Sequence, residues 1–268
     1  MKSHYQIAII GAGTAGIMTA AQLLKKDKSL DIVIIDPADK HYYQPAWTLV
    51  GAGTYDFDKT EKPIRDLIPE QAEWIQDSVI SFYPEENKIE LKKGIKISYD
   101  YLVVAPGLVN DLSLIEGLED AVKKGVVCSN YIDPKYTWEC LKNFKGGNAV
   151  FTQPTTPIKC GGAPQKIMYL TADYLRRNGL DKKSNVVFAT PGTVIFGVKR
   201  IADTLMKVIH RYNVHFKPFY APVKIDADKK IVYFKSVAPD DNNCIVNEGN
   251  VLGEKQQGDS LIEMPFDL

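Results

Sequence analysis

A glycine-rich turn near the N-terminus constrains the fold of this 268-residue chain more than any other feature. The segment Gly11-Ala12-Gly13-Thr14-Ala15-Gly16 fits the pattern GxGxxG. It follows an apolar strand pattern at residues 7–10 and opens a helical pattern at residues 14–26. A second apolar run, residues 32–35, ends at Asp36. This strand–helix–strand context predicts a dinucleotide-binding βαβ unit.

Each glycine of the turn has a predicted role. Gly11 permits the tight turn, Gly13 lets the backbone approach a pyrophosphate, and Gly16 lets helix and strand pack closely. The start of the helix offers free N–H groups and a favourable dipole to the phosphates. Asp36 is expected to accept hydrogen bonds from an adenosine ribose. A glycine turn that binds no ligand is the alternative.

A second segment bears on which dinucleotide is bound. Residues 98–105 form an apolar strand pattern that ends at Ala105 and runs into Pro106-Gly107. This segment resembles the second flavin motif of flavoproteins with two dinucleotide-binding domains. In those proteins the strand ends near the flavin, where glycine allows a close approach of the backbone. The segment and the N-terminal position of the glycine turn favour FAD over NAD, with ordinary core packing of the strand as the alternative.

The order of elements predicts an α/β protein with two Rossmann-like, three-layer domains. We expect an FAD-binding domain at residues 1–112 and a second domain at residues 113–268, with a linker around residues 111–124. Residues 73–82 and 87–91 are predicted to be strands of an antiparallel excursion. A polar surface excursion is predicted at residues 238–258. Other elements of the second domain are predicted at residues 136–144, 148–151, 163–177, 185–189, 198–212, 214–218, 224–235 and 260–268.

A cysteine stands in the second domain where an NAD(P)-binding domain would have its own glycine turn. After the strand pattern at residues 148–151, the loop contains no glycine pattern that could hold phosphate. Cys160 follows Lys159 and precedes a helix whose first turn contains Pro164. A thiol beside a lysine and near a helix N-terminus is expected to carry a larger thiolate fraction. We therefore predict sulfur chemistry at Cys160, and an inert core cysteine is the alternative.

Three segments resemble the type II, mitochondrial-like sulfide:quinone oxidoreductases, members of the FAD-dependent pyridine nucleotide-disulfide oxidoreductase superfamily. They are residues 41–53 (His41-Tyr42-Tyr43-Gln44-Pro45-Ala46-Trp47 and onward), residues 156–170 and residues 195–199. The likeness extends over nearly the whole chain. The resemblance implies that Cys160 is one of two redox cysteines. It also implies that FAD is contacted at Thr14, Ala15, Asp36, Gln44, Pro45 and Val79.

The activity that the resemblance implies is sulfide oxidation, with electrons passing through FAD to a membrane quinone. Hydrosulfide would attack a disulfide or trisulfide between Cys160 and a partner cysteine, and the partner would carry away the persulfide. The expected substrates are therefore hydrosulfide and a quinone. The full-length protein is expected to associate peripherally with the inner membrane, and a homo-oligomer is compatible with the resemblance.

The sequence departs from the family pattern because the C-terminal part of that pattern is missing. In the family, that part holds the partner cysteine, a Gly-Asp motif at the flavin, the quinone pocket and amphipathic membrane-binding elements. We expect the chain to end as it re-enters the FAD domain, to bind FAD weakly or not at all, and not to turn over.

Three alternative functions remain open at this point. A type II NADH:quinone reductase needs a second GxGxxG, and none is present. A soluble disulfide reductase usually needs a CxxxxC pair after the first helix, and residues 27–60 contain no cysteine. A non-catalytic FAD- or nucleotide-binding scaffold fits the missing C-terminal part of the pattern.

Charge and cysteine usage exclude other classes. Lys plus Arg and Asp plus Glu each count 33, which argues against a nucleic-acid partner. Cys128, Cys140 and Cys244 show no metal-ligand spacing, and the first two are predicted to be structural thiols. The N-terminus has no signal-peptide layout and no apolar run reaches the length of a membrane span, so a cytoplasmic location is expected.

Overall fold

The structure is a computed structural model that describes residues 2–156, 158–238, 250–257 and 261–268. Cys244, Pro157 and most of the predicted excursion at residues 238–258 lie outside the described residues. The α-helices are α1 Thr14–Lys26, α2 Trp47–Gly51, α3 Leu118–Lys123, α4 Pro134–Asn143, α5 Ala163–Arg177 and α6 Lys199–Arg211. The β-strands are β1 His4–Ile10, β2 Ile32–Ile35, β3 Lys40–Tyr42, β4 Glu61–Pro63, β5 Ala72–Ile75, β6 Val79–Tyr83, β7 Lys88–Leu91, β8 Lys96–Val104, β9 Gly147–Thr152, β10 Ser184–Ala189, β11 His215–Lys217, β12 Tyr220–Asp226, β13 Ile231–Ser236, β14 Lys255–Gln257 and β15 Leu261–Pro265.

The chain folds into two compact units. Unit 1 comprises Met1–Gln44 and Asp58–Val109, and unit 2 comprises Pro45–Phe57 and Asn110–Leu268. Residues 45–57 were predicted to lie in the first domain, yet they are part of unit 2 because α2 packs against α4 and α5. The expected linker around residues 111–124 contains α3, and its preceding glycine, Gly117, has a φ of 76°.

Unit 1 is built on a six-stranded sheet with the strand order β5-β2-β1-β8-β7-β6. β1 pairs in parallel with β2 and with β8, and β2 pairs in parallel with β5. Only β7 and β6 run antiparallel to their neighbours. The prediction of one antiparallel strand at residues 73–82 was wrong. The segment is divided into β5 and β6 by a turn at Asp77. The buried side chain of Asp77 accepts hydrogen bonds from the N–H groups of Ser78 and Lys93 and holds this turn.

The central strands of unit 1 are buried on both faces, as their unbroken apolar sequence requires. All four residues of β2 are buried, and so are Ile7 to Ile10 of β1. One face of the sheet packs against α1 through Ala20 and Leu24. A second apolar cluster contains side chains of β1, β2, β7 and β8, and its Ile89, Leu91 and Ile97 are fully buried. The buried strand β1 holds the position of the glycine turn that follows it.

Unit 2 contains two sheets. The parallel sheet has the order β11-β10-β9, and the antiparallel sheet has the order β12-β13-β15-β14. The prediction that the last strand re-enters the FAD domain was wrong. β15 pairs with β13 and β14 instead, and its Ile262 and Met264 are buried with Phe234 of β13. Alternation of buried and exposed residues along β15 directs one face of the strand into this core.

A buried ion pair lies beneath the antiparallel sheet of unit 2. Lys217 Nζ lies 2.8 Å from Glu254 Oε2, and the side chains are 5% and 0% exposed. The hydroxyl of Tyr220 donates to Glu254 Oε1 at 3.1 Å. The carboxylate therefore receives hydrogen bonds on both oxygens, which offsets part of the cost of removing it from water.

Candidate functional site

The three glycines of the turn differ in whether the fold requires a glycine at their position. Gly11 has a φ of +102°, and a Cβ placed on it would stand 2.1 Å from the carbonyl oxygen of Ala105. A Cβ on Gly16 would stand 1.8 Å from the carbonyl oxygen of Gly11. A Cβ on Gly13, by contrast, meets nothing within 4 Å. The fold therefore requires glycine at positions 11 and 16, whereas position 13 faces open space.

Asp36 is held in place by the backbone on either side of it. Its Oδ2 accepts a hydrogen bond from the N–H of Ala12 at 2.7 Å, and its Oδ1 accepts one from Ala38 at 2.8 Å. Each carboxylate oxygen has a further lone pair for a ligand hydroxyl. The carboxylate is thus fixed at the end of β2, beside the glycine turn, as the sequence predicted.

The end of β8 lies next to the same turn. The N–H of Ala105 donates to the carbonyl of Ile10 at 2.8 Å, which extends the β1–β8 pairing by one residue. Gly107 has a φ of +81° and is exposed, with nothing within 4 Å of a built Cβ. Ala105 lies against Gly11, so the two sequence segments meet within unit 1.

The other predicted cofactor contacts lie in different surroundings. Val79 begins β6 and is half-buried against the unit 1 core. Gln44 is half-buried and Pro45 is exposed, in the 3-10 turn that precedes α2. Contacts of these three residues with FAD stay a prediction.

A cavity of about 430 Å³ lies in unit 1 alongside the first turns of α1. Thr14, His41 and Tyr43 of its lining lie in segments predicted to be functional, whereas the residues in and around β4 do not. No sequence signal marked this side of the cavity, because its residues come from β4 and the turns around it, and β4 pairs with β3 across a long connection. The lining residues are Thr14, Ile17, Met18, His41, Tyr43, Lys59, Thr60, Lys62 and Leu67.

Cys160 is exposed and lies at the end of the loop that leads into α5. Its carbonyl accepts a hydrogen bond from the N–H of Ala163 at 2.9 Å, so the cysteine joins the first turn of the helix. The ammonium of Lys166 lies 3.8 Å from its sulfur. Cys160 is therefore not a core residue, which was the alternative to the predicted sulfur chemistry, and a cation stands beside the thiol. The sulfur chemistry itself stays a prediction.

Gln165 joins the loop of Cys160 to a second loop of unit 2. Its side chain is buried, and its Nε2 donates to the carbonyl of Gly161 at 3.4 Å and to the carbonyl of Ile195. Two of the segments that carried the family resemblance, residues 156–170 and 195–199, are thereby brought together. The third, residues 41–53, contributes α2, which packs against α5.

Two further cysteines are closer to each other than the sequence indicated. Cys128 and Cys140, predicted to be structural thiols, affect each other's ionisation within unit 2: hydrogen bonding to Cys140, followed by burial, raises the pKa of Cys128 well above its usual range. Both are half-buried and neither is in a disulfide. Their separation of twelve positions spans a loop and a helix start, so no short motif could reveal the contact.

The residues of the glycine turn fit FAD. The first turn of α1 contains no acidic side chain, Thr14 and Ala15 are exposed, and Gly13 leaves its backbone accessible. A pyrophosphate needs such an uncovered helix N-terminus, and a ribose needs a fixed carboxylate such as that of Asp36. Among the described residues, no group of His, Cys, Asp or Glu could hold a metal ion.

The parallel sheet, the glycine turn and the acidic residue after β2 define a dinucleotide-binding protein of the two-domain flavoprotein type. A family model described as pyridine nucleotide-disulphide oxidoreductase matches residues 5–139. The chain belongs to this family. Members of the family, the sulfide:quinone oxidoreductases among them, are FAD-binding flavoproteins.

Individual relatives are sulfide:quinone oxidoreductases. The chain is 42% identical to the mitochondrial sulfide:quinone oxidoreductase of Dictyostelium discoideum, over 88% of this chain and 53% of the relative. It is 39% identical to that of Mus musculus, over 87% of this chain and 52% of the relative. The solved sulfide:quinone oxidoreductase of Aquifex aeolicus shares the fold with a TM-score of 0.75 and 20% identity, over 100% of this chain and 57% of that one.

The chain spans about half the length of the curated relatives that it matches. No helix in the part of the chain that the structure describes is both long and apolar enough to cross a membrane.

Proposed function

We propose that this chain provides the FAD-binding turn and one redox cysteine of a sulfide:quinone oxidoreductase. The observation that carries the proposal is the exposed sulfur of Cys160 at the start of α5, 3.8 Å from the Lys166 ammonium. The loop that contains it has no glycine pattern for a nicotinamide dinucleotide. An accessible thiol in that position suits sulfur transfer, and identity to sulfide:quinone oxidoreductases supports the same substrate class.

Different residues are proposed to bind different parts of the FAD molecule. The N–H groups at Gly13, Thr14 and Ala15 would bind the pyrophosphate, and Asp36 would accept hydrogen bonds from the ribose. The further contacts are proposed for Gly11, Ala12, Gly16, Gln44, Pro45, Val79, Ala105 and Gly107. When bound, FAD supplies two-electron acceptance from sulfur and delivery of those electrons to a quinone.

Cys160 has the role of a thiolate leaving group and nucleophile. In the proposed reaction, hydrosulfide attacks the sulfur of a partner cysteine that is bonded to Cys160. The bond between the two cysteine sulfurs breaks, the partner retains the persulfide, and Cys160 leaves with the electron pair as a thiolate. The Lys166 ammonium stabilises the negative charge that this step develops on the Cys160 sulfur.

The remaining expectations from the sequence belong to this proposal. A quinone is dissolved in the membrane, so the full-length protein would associate with the membrane surface, on the cytoplasmic side. The chain itself is proposed to bind FAD weakly and not to turn over, since its relatives are about twice as long. A visible absorbance spectrum of the purified chain with added FAD tests the first part, and stoichiometric bound flavin contradicts it.

The activity is tested in a full-length version that retains these residues. Sulfide is expected to bleach the flavin absorbance near its visible maximum, and Cys160→Ser is expected to abolish the bleaching. Cys244→Ser, which changes a cysteine in a polar segment, serves as the matched control and is expected to bleach normally. Unchanged bleaching in Cys160→Ser would overturn the proposed role of the cysteine.

A second candidate is a non-catalytic FAD- or nucleotide-binding protein. The coverage of only about half of each relative favours it for the chain taken alone. Binding of FAD without any sulfide-dependent change of the flavin spectrum, in the chain and in the full-length version alike, distinguishes this candidate from the first.

A further inference from the structure

Gln165 is a polar residue on the apolar face of α5. It lies three and seven positions before Met168 and Ala172, which places the three side chains on one face of the helix. Met168 and Ala172 belong to an apolar cluster of unit 2, and Gln165 is itself only 3% exposed. A buried amide costs free energy unless its polar atoms are hydrogen-bonded. A glutamine at this position therefore needs specific hydrogen-bond partners.

The Gln165 amide finds such partners on two different segments. Its nitrogen carries two N–H groups, and it donates to the carbonyl of Gly161 at 3.4 Å and to the carbonyl of Ile195. Ile195 is buried and packs in the same apolar cluster as α5. Because Gly161 directly follows Cys160, the amide anchors the residue next to the thiol to a buried segment of the unit.

The backbone that joins Cys160 to α5 is intrinsically flexible. Gly161 and Gly162 separate the cysteine from Ala163, the first residue of the helix, and glycine can adopt many backbone conformations. On the helix side, the N–H of Ala163 donates to the carbonyl of Cys160 at 2.9 Å. On the core side, the hydrogen bond from Gln165 to Gly161 restricts the same turn.

This turn also sets the distance between the thiol and the neighbouring cation. The Lys166 ammonium lies 3.8 Å from the Cys160 sulfur. Lys166 is fixed by α5, where its N–H donates to the carbonyl of Gly162 at 2.9 Å. The sulfur belongs to the turn instead, so its place beside the ammonium depends on what holds Gly161.

We propose that Gln165 is a positioning residue for Cys160, which keeps the sulfur beside the Lys166 ammonium by anchoring the carbonyl of Gly161 to that of Ile195. Gln165 acts through the backbone of Gly161 and not on the sulfur itself. The value of this position for sulfur transfer rests on the function proposed above. The position itself does not, because it is measured without FAD or sulfide.

The test compares two alkylating reagents of similar size, iodoacetate and iodoacetamide, on the full chain at low ionic strength. Only iodoacetate is negatively charged, so the ratio of its rate at Cys160 to that of iodoacetamide reports the positive charge beside the sulfur. The rates are measured by mass spectrometry of the peptide that contains Cys160.

Gln165→Met keeps the length of the side chain but has no N–H to donate. It is expected to lower the ratio about threefold, and Lys166→Ala is expected to lower it to a similar extent. In the double variant, Gln165→Met is expected to add nothing to the effect of Lys166→Ala, because the contact on which it acts is already lost.

Asn148→Leu is the matched control. Asn148 is another buried amide of unit 2, and its Nδ2 donates to the carbonyls of Leu252 and Pro265, each at 2.9 Å. It lies at the beginning of β9, whereas the chain continues towards Cys160 from the end of that strand. Asn148→Leu is expected to lower the urea midpoint at least as much as Gln165→Met and to leave the ratio of rates unchanged.

Two results in folded variants would overturn the proposal. One is an unchanged ratio in Gln165→Met, and the other is a double variant in which the two single effects multiply. Far-UV circular dichroism checks folding. If Gln165→Met does not fold, Gln165→Asn takes its place and is expected to lower the ratio as well, because its shorter side chain does not reach both carbonyls. Failure of both variants to fold would assign Gln165 to the stability of unit 2 and would also overturn the proposal.

The outcome is separable from that of the proposed function. If the ratio falls as expected while Cys160→Ser still bleaches in the full-length version, the positioning role stands and the role of Cys160 in sulfide oxidation fails. If the ratio does not change while Cys160→Ser abolishes the bleaching, the function stands and the positioning role fails.

Discussion

The Nζ atom of Lys166 lies 3.8 Å from the sulfur of Cys160. Lys166 is in the first turn of α5, and the thiol of Cys160 is exposed. The lysine is carried by a helix and the cysteine by the loop that enters it, so the helix sets the distance between the two. An ammonium at this distance attracts a negatively charged sulfur even in an aqueous surrounding.

Replacement of Lys166 by Ala is expected to slow the alkylation of Cys160 by iodoacetamide about fivefold, because the attraction to the sulfur is lost. Lys166→Arg keeps the positive charge and is expected to retain most of the rate. Lys182→Ala removes a lysine from an exposed 3-10 turn of the same unit and serves as the control. The rates are measured by mass spectrometry of the peptide that contains Cys160. Equal rates in all four proteins would show that Lys166 does not act on the sulfur.

Substitutions in the glycine turn are expected to separate folding from ligand binding. Gly11→Ala is predicted to lower the free energy of unfolding by about 2–4 kcal/mol, since its φ is +102° and its Cβ would stand 2.1 Å from the Ala105 oxygen. Gly13→Ala is predicted to cost less than about 1 kcal/mol, because nothing lies within 4 Å of its Cβ. Urea unfolding followed by circular dichroism gives both values. A large loss in Gly13→Ala would mean that this glycine serves the fold and not a ligand.

The buried pair of Lys217 and Glu254 is expected to depend on both partners. Glu254→Ala leaves a charged ammonium in a nearly inaccessible site and is predicted to cost about 3–5 kcal/mol of unfolding free energy. The double replacement Lys217→Met with Glu254→Leu is predicted to cost less than Glu254→Ala alone. Asp203→Ala breaks an exposed pair with Lys199 and is expected to change stability by less than about 0.5 kcal/mol. Urea midpoints of the three variants are compared, and similar losses in all of them would contradict the assignment.

Stability is expected to fall above pH 10, in part through Tyr169 of α5. Burial raises the pKa of Tyr169 to about 12, above the ordinary value of 10. The folded state therefore binds this proton more tightly than the unfolded state. The resulting stabilisation is complete below pH 10 and is lost as the pH rises from 10 to 12. Tyr5, whose pKa is also raised to about 12, acts in the same direction.

Replacement of Tyr169 by Phe is expected to reduce this alkaline loss without abolishing it. Near pH 7 the same variant is expected to be neutral or stabilised by about 1 kcal/mol, because the Tyr169 hydroxyl is buried without a hydrogen-bond partner among the described residues. Unfolding by urea at pH 8 and pH 11 measures both effects. Strong destabilisation of Tyr169→Phe at pH 8 would contradict this and mean that the hydroxyl makes a stabilising hydrogen bond in solution.

The elements that were predicted correctly are those whose sequence patterns are local, such as the apolar periodicity of a helix. The bounds of α1 and α5 match the predicted ranges, because an apolar period of 3.6 residues begins and ends clearly in each. The glycine turn and Asp36 lie together as their spacing predicts, because close backbone packing requires glycine at positions 11 and 16 and the N–H of Ala12 binds the Asp36 carboxylate.

The features that were missed depend on residues far apart in the chain. The parallel pairing of β5 with β2 cannot be read from a short apolar run, since parallel and antiparallel strands share that pattern. The return of β15 to the sheet of unit 2 depends on burial of Ile262 and Met264 against β13. The effect of Cys140 on the pKa of Cys128 depends on how the loop folds back onto α4.

The side chain of Gln165 has a consequence for how this protein can vary. Its amide donates to the carbonyls of Gly161 and Ile195 from inside unit 2, so the residue that follows Cys160 is tied to the segment around Ile195. These hydrogen bonds do not involve residues 153–156, so we expect substitutions in that part of the loop to leave the sulfur of Cys160 in place. Under the function proposed above, we expect relatives to differ at these loop residues, and so in which molecules reach the sulfur, while Cys160 itself is kept.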